Sequence, residues 1–304
     1  MNLALALSKY QGDKVRCRHI AASDRNEARV YKSDLLIGVH SYDEIRKIME
    51  DADIFHFHNF YSNQELFRKY PDLWQICLRK PRVWQVHSPR STAWMDIEEG
   101  LRDKAAKHLV IGQYHPREWP ECTIVPNVID IEEPLLRPQE RLWSGPLRIA
   151  YSPSRIGLLG WDDKGFKETL PVLQTLVDAK LITAVVIQDR PHAECLRLRG
   201  ECNISIDEII TGSYHLVSLE SLSQGCFTFA GLDEIQIKTI KDLTGAGFHP
   251  WALARPETLK RRLMGCVYDP GGVKMLAEAS RSWMEKYWHP KDMTQRFVNI
   301  YEGM

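Results

Sequence analysis

Residues 203–231 read NISIDEIITGSYHLVSLESLSQGCFTFAG. Ile204 to Ile210 is an apolar run of strand length, Leu216 to Ser223 carries a helix, and Cys226 to Ala230 is a second apolar run. Strand, helix and strand in so short a stretch form the parallel crossover unit of an α/β protein. In open parallel sheets ligands lie beyond the carboxyl ends of the strands, where loops feed helix N-termini with free N–H groups. Gly212 and Ser213 are small residues at such a point, so the backbone from Ser213 through Tyr214 and His215 to Leu216 is a candidate anion cradle. Glu220, further along the helix, is placed to accept the two hydroxyls of a ribose.

The same alternation extends upstream. Leu147 to Tyr151 reads as a strand, Phe166 to Ala179 as a helix, Thr183 to Gln188 as a strand and Pro191 to Gly200 as a helix. Between the first two lies SPSRIGLLGWDDKGF, which offers Ser154, Arg155 and Lys164 among Gly157, Gly160 and Gly165. Two cations among flexible glycines suit a diphosphate. The first half repeats the pattern. Helices are expected over Asn2 to Lys9, Ser41 to Asp51 and Tyr61 to Leu78, the last interrupted near Pro71. Strands are expected over Val15 to Ala21, Asp53 to His58, Arg82 to His87, His108 to Gly112 and Cys122 to Asn127.

Between Ile131 and Pro146 three prolines and a Ser-Gly pair interrupt any period, which marks a boundary. The fold expected is α/β, two Rossmann-like domains facing a central cleft. Residues 1–144 form the first and 145–284 the second, followed by an amphipathic helix over about 285–304 with Met293, Phe297, Ile300 and Tyr301 on one face.

The 304 residues carry 40 Lys and Arg against 40 Asp and Glu, with 21 of each sign up to Arg141, so neither half is a basic body for a nucleic-acid backbone. Seven scattered cysteines have no two-residue spacing and read as reduced thiols of a cytoplasmic protein. His56 and His58 point to one face of a strand without a third ligand nearby, and Asp162 and Asp163 are adjacent rather than spaced to hold a metal diphosphate. No metal or other cofactor is expected, and neither a membrane span nor a signal peptide is legible.

The order TIVPNVID, a strand followed by PSR and a KG before a helix, then SIDEIITGSYHLVSLESLSQGCFTFAG resembles the retaining GT-B glycosyltransferases of the large family 4 over most of the chain. The resemblance implies that Arg155 and Lys164 neutralise the donor diphosphate and that Glu220 holds the ribose. It also implies that the last helix crosses back onto the first domain. His87, ending RVWQVHSPR, is similar to the family's cleft histidine, which implies contact with the transferred sugar or the acceptor. Ser88 and Arg90 beside it, with His58 and Asn59 at the previous strand end, are candidates for the acceptor side.

Three departures stand beside the resemblance. The family has a second glutamate where this chain has Gly212, and His215 replaces a small residue. The family also opens with a strand and Gly-rich loop, whereas this chain starts inside the helix that follows them, so the first domain is expected to lack its first strand.

The reading is a metal-independent transferase that moves a sugar, with retention, from a nucleoside diphosphate sugar to an acceptor hydroxyl, UDP-sugar being the expected donor. Glycan, lipid-linked glycan, protein and a hydroxymethylated base of phage DNA remain open as acceptors. The competing reading is a nucleotide-sugar binding protein with decayed catalysis.

Overall fold

The structure is a computed structural model, described here for residues 3–21, 34–37, 39–62, 64–90, 98–153 and 164–304. It divides into two compact units: unit 1 comprises 1–128 with 291–304, and unit 2 comprises 129–290.

Unit 1 contains α1 (Leu3–Tyr10), β1 (Ile20–Ala21), β2 (Leu35–Leu36), α2 (Tyr42–Asp51), β3 (Phe55–His58), α3 (Glu65–Lys69), α4 (Pro71–Leu78), β4 (Arg82–Val86), α5 (Glu99–Arg102), β5 (Ala106–Ile111) and β6 (Thr123–Val125). Strands β3-β4-β5-β6 form one parallel sheet in chain order, and β1 pairs with β2 in a separate parallel pair. Pro71 opens α4, where a missing N–H costs nothing, so the helical stretch over Tyr61 to Leu78 is interrupted there as expected and divides into α3 and α4. Of the strand expected over Val15 to Ala21, Ile20 and Ala21 alone find a ladder partner among the described residues. Ser41 and Glu44 close a capping box on α2, which turns Ile45 and Met49 into a core shared with Phe57, Leu73, Trp84, Val110 and Trp119.

Unit 2 contains β7 (Leu147–Tyr151), α6 (Phe166–Asp178), β8 (Ile182–Val186), α7 (His192–Gly200), β9 (Ile204–Ile206), α8 (Leu216–Ser223), β10 (Phe227–Ala230), α9 (Glu234–Thr244), β11 (Ala252–Leu253), α10 (Pro256–Tyr268) and α11 (Pro270–Tyr287). Its sheet is parallel throughout in the order β11-β10-β9-β7-β8. Ile149, Tyr151, Ile204, Ile206 and Phe229 pack with Leu173 and Leu176 of α6, Leu259 and Leu263 of α10 and Val273 of α11. The chain lays β8 on one side of β7 and β9 on the other, so the strand order reverses between β7 and β9. Such a switch point opens a crevice at the carboxyl ends of those two strands.

The proline-rich segment after Val128 is stitched to unit 2. Arg141 donates from Nε to the Gly200 carbonyl at 2.7 Å, and Arg281 donates to the carbonyls of Ile131 and Leu136 at 3.1 and 3.3 Å. Helix α12 (Pro290–Glu302) returns to unit 1, where the Gln11 amide donates to the Lys291 carbonyl at 2.8 Å and to the Thr294 hydroxyl at 3.1 Å. Among the described residues no helix is long and apolar enough to cross a membrane.

Candidate functional site

At the switch point of unit 2, β9 stops at Ile206 rather than running to Ile210, because the next two residues spend their carboxylates on the loop that follows. Glu208 accepts from the amides of Ile210, Thr211 and Ser213 at 3.1, 2.8 and 2.9 Å. Asp207 accepts from the His215 amide at 2.5 Å and from the Ser218 hydroxyl at 2.7 Å, both on Oδ2. The expected cradle at Ser213 to Leu216 is therefore corrected: the Ser213 and His215 amides already serve carboxylates of the same chain. Helix geometry leaves the first-turn amides of Leu216 and Val217 without a partner inside α8, and these carry its positive dipole end.

Lys164 and His215, both expected at the donor, meet on the other oxygen of Asp207. Lys164 Nζ lies 3.2 Å from Oδ1 and His215 Nδ1 lies 3.3 Å from it. Asp207 is completely buried and Lys164 is 2% exposed. Burial alone would raise the Asp207 pKa, but the charge on Lys164 and the contacts of His215 outweigh it and hold the carboxyl well below its ordinary range. Ser154 and Arg155, the other donor-loop candidates, lie outside the described residues.

Glu220 faces a second pair of partners. Arg199 donates to Oε2 at 2.6 Å and His192 Nε2 donates to Oε1 at 2.7 Å, while Arg199 also reaches the Ser152 hydroxyl at 3.4 Å. Burial pushes the Glu220 pKa up, but the His192 hydrogen bond and the Arg199 charge bring it down to about 2. Each carboxylate oxygen keeps a second lone pair, so ribose hydroxyls could add to bonds already made. The Tyr214 side chain points elsewhere, into an aromatic cluster with Trp251 and Trp288 at ring separations of 5.1 and 6.3 Å, and is a packing residue. Leu216 is partly exposed at the start of α8.

Gly212 holds φ +89°, and a Cβ there would lie 2.5 Å from Asp233 Oδ2. A glutamate at this position would meet both a backbone penalty and a close contact with Asp233, so this turn disfavours a carboxylate here.

In unit 1 the ends of β3 and β4 bring His58, Asn59, His87 and Ser88 together. His58 Nδ1 and His87 Nε2 are 2.7 Å apart, one donating to the other, and the His58 ring stacks on His56 at 4.6 Å. His56 Nδ1 is bonded in turn to the Tyr301 hydroxyl at 2.7 Å. Burial, with the nearby His115 and His56, pushes the half-buried His87 down to about 3. Asn59 acts as a clamp: its Oδ1 accepts from the His87 amide at 2.6 Å and its Nδ2 donates to the Ser88 hydroxyl at 3.1 Å. Its backbone is left-handed at φ 59°, a conformation asparagine tolerates better than most residues. Arg90 is drawn away from this group. Its guanidinium lies over Trp119 at 4.4 Å and pairs with Glu121.

Asp207, Glu208, Arg199 and His192 were not singled out from the sequence. The one available signal was the pair of adjacent acids inside an otherwise apolar run, since buried carboxylates demand partners.

No protein-family model matches the chain, and no curated protein matches it. Solved structures do. A glycosyltransferase from Rickettsia africae aligns with a TM-score of 0.60 at 14% identity, over 99% of this chain and 93% of that one. HepE from Anabaena, in complex with UDP-glucose, aligns with a TM-score of 0.58 at 11% identity, over 100% and 96%. Sucrose-phosphate synthase from Thermosynechococcus elongatus aligns with a TM-score of 0.53 at 12% identity, over 86% and 76%. The chain thus has the Rossmann-like α/β fold of the GT-B glycosyltransferases.

Proposed function

We propose that this chain is a glycosyltransferase that moves a sugar from a nucleoside diphosphate donor to an acceptor hydroxyl, with retention and without a metal. The observation that carries the reading is the convergence of Lys164, His215 and the start of α8 at the switch point between β7 and β9. As the glycosidic bond breaks, the leaving diphosphate gains negative charge, and cations with a helix N-terminus fixed in advance stabilise that charge more than the ground state. In this reading Ser154 and Arg155 complete the phosphate site, Glu220 takes the ribose, and His87, with His58 and Ser88, serves the transferred sugar or acceptor. The UDP-glucose complex of HepE supports a UDP-sugar as the first donor to try.

The test is incubation of the purified chain with UDP-, GDP- and ADP-sugars, with and without EDTA, against a panel of glycan, lipid-linked, protein and hydroxymethylated DNA acceptors. Transfer or slow donor hydrolysis that survives EDTA is expected, and NMR of the product should show the donor's anomeric configuration. Metal-reversible loss of turnover would remove the metal-free mechanism. The second reading, a nucleotide-sugar binder without turnover, is favoured by Gly212; tight nucleotide binding with no turnover on any donor would support it.

A further inference from the structure

We propose that Asp207 is the positioning residue of the donor diphosphate site, holding Lys164 and His215 in the arrangement from which both address the phosphates. The inference rests on the function proposed above and adds a residue to it. Lys164 follows the loop after β7 and His215 follows the loop after β9, yet both converge on one buried carboxylate, with the His215 amide and the Ser218 hydroxyl on its other oxygen. Four groups, on Lys164, His215 and Ser218 of α8, thus share one anchor.

The backbone around Lys164 carries the same message. Lys164 itself is left-handed at φ 54° and Gly165 follows at φ 72°. A non-glycine residue in that region is held there by its surroundings, and here the Tyr151 hydroxyl grips the Lys164 carbonyl at 3.3 Å while Asp207 grips the ammonium. A Cβ on Gly165 would come within 2.7 Å of Ile210 Cγ1, so the residue after Lys164 packs closely on the segment that follows β9. An ammonium has three N–H donors, and the ion pair with Asp207 holds the nitrogen that carries them in place.

The sign of the effect separates positioning from plain electrostatics. Asp207 brings a negative charge towards a site meant for a diphosphate, so if its charge alone mattered, removing it would tighten binding. The experiment is calorimetry of the purified chain with UDP and uridine, or GDP and guanosine, or ADP and adenosine, whichever diphosphate binds best. Asp207→Asn should weaken the diphosphate about tenfold or more, with the nucleoside unchanged within about twofold. Combining it with Lys164→Met should cost clearly less than the sum of the two single losses, because part of the Asp207 effect passes through Lys164. Tighter diphosphate binding, equal losses for diphosphate and nucleoside, or strictly additive losses would each overturn the positioning role.

If Asp207→Asn does not fold, Ser218→Ala takes one donor from Asp207 and leaves both charges. A loss of about threefold for the diphosphate alone is then expected, and an unchanged affinity overturns the proposal. A parent chain that binds none of the three diphosphates overturns the proposed function itself. A parent that binds normally beside an unaffected Asp207→Asn overturns only this inference.

Discussion

Both oxygens of Glu220 are held by cationic or N–H donors of the same unit, which makes this carboxylate a stability determinant as well as a ribose candidate. Its folded pKa of about 2 lies below the ordinary 4.5. The stability it contributes is therefore complete above about pH 4.5 and is lost as the pH falls towards 2, by roughly 3 kcal/mol in all. Glu220→Gln should lower the urea midpoint at pH 7 by a comparable free energy, since it leaves the Arg199 guanidinium buried and uncompensated. Repeated at falling pH, the gap between variant and parent should shrink. A gap that stays constant from pH 7 to pH 3 would show that the ionised pair carries none of it.

The turn from β9 into α8 is where sequence and structure part most clearly. Leu216 to Ser223 was legible as a helix and is one, because its apolar residues have no competing reading. The roles of Asp207 and Glu208 were not legible. They follow from which loop amides fold back over the strand end, and no spacing rule encodes that. Lys164 could be picked out as a cation before a helix, but its commitment to Asp207 is a contact between distant loops and needs the fold. His87 was singled out by the resemblance of RVWQVHSPR to a cleft loop, and His58 by its place at the carboxyl end of the previous strand, the side of a parallel sheet where ligands gather. The Gly212 backbone also gives this element a test. Gly212→Glu, which would place a carboxylate where the resembled family 4 enzymes carry one, should destabilise the chain by about 1–3 kcal/mol or more, read from thermal melting, and should not raise donor turnover. A variant as stable as the parent with higher turnover would mean the turn can reshape.

At the scale of the whole molecule, the hydrophobic cores of the two units are built from different stretches of chain, and unit 1 is the discontinuous one. Removing residues 291–304 takes away the partners of Gln11 and the Tyr301 hydroxyl that meets His56. Hydrogen exchange of the shortened chain should show lost protection in α1 and β3, with β7, β9 and β10 as slow as before. Equal loss in both units would mean their stabilities are coupled. The same discontinuity sets an order of events on the ribosome. Unit 2 is one unbroken run and has all of its residues once Pro290 has emerged, whereas unit 1, begun first, still waits for α12. The usual progression, in which the earlier domain is finished before the later one starts, is inverted. During synthesis His56 on β3 lacks its partners Phe297 and Tyr301 until the second unit is already complete.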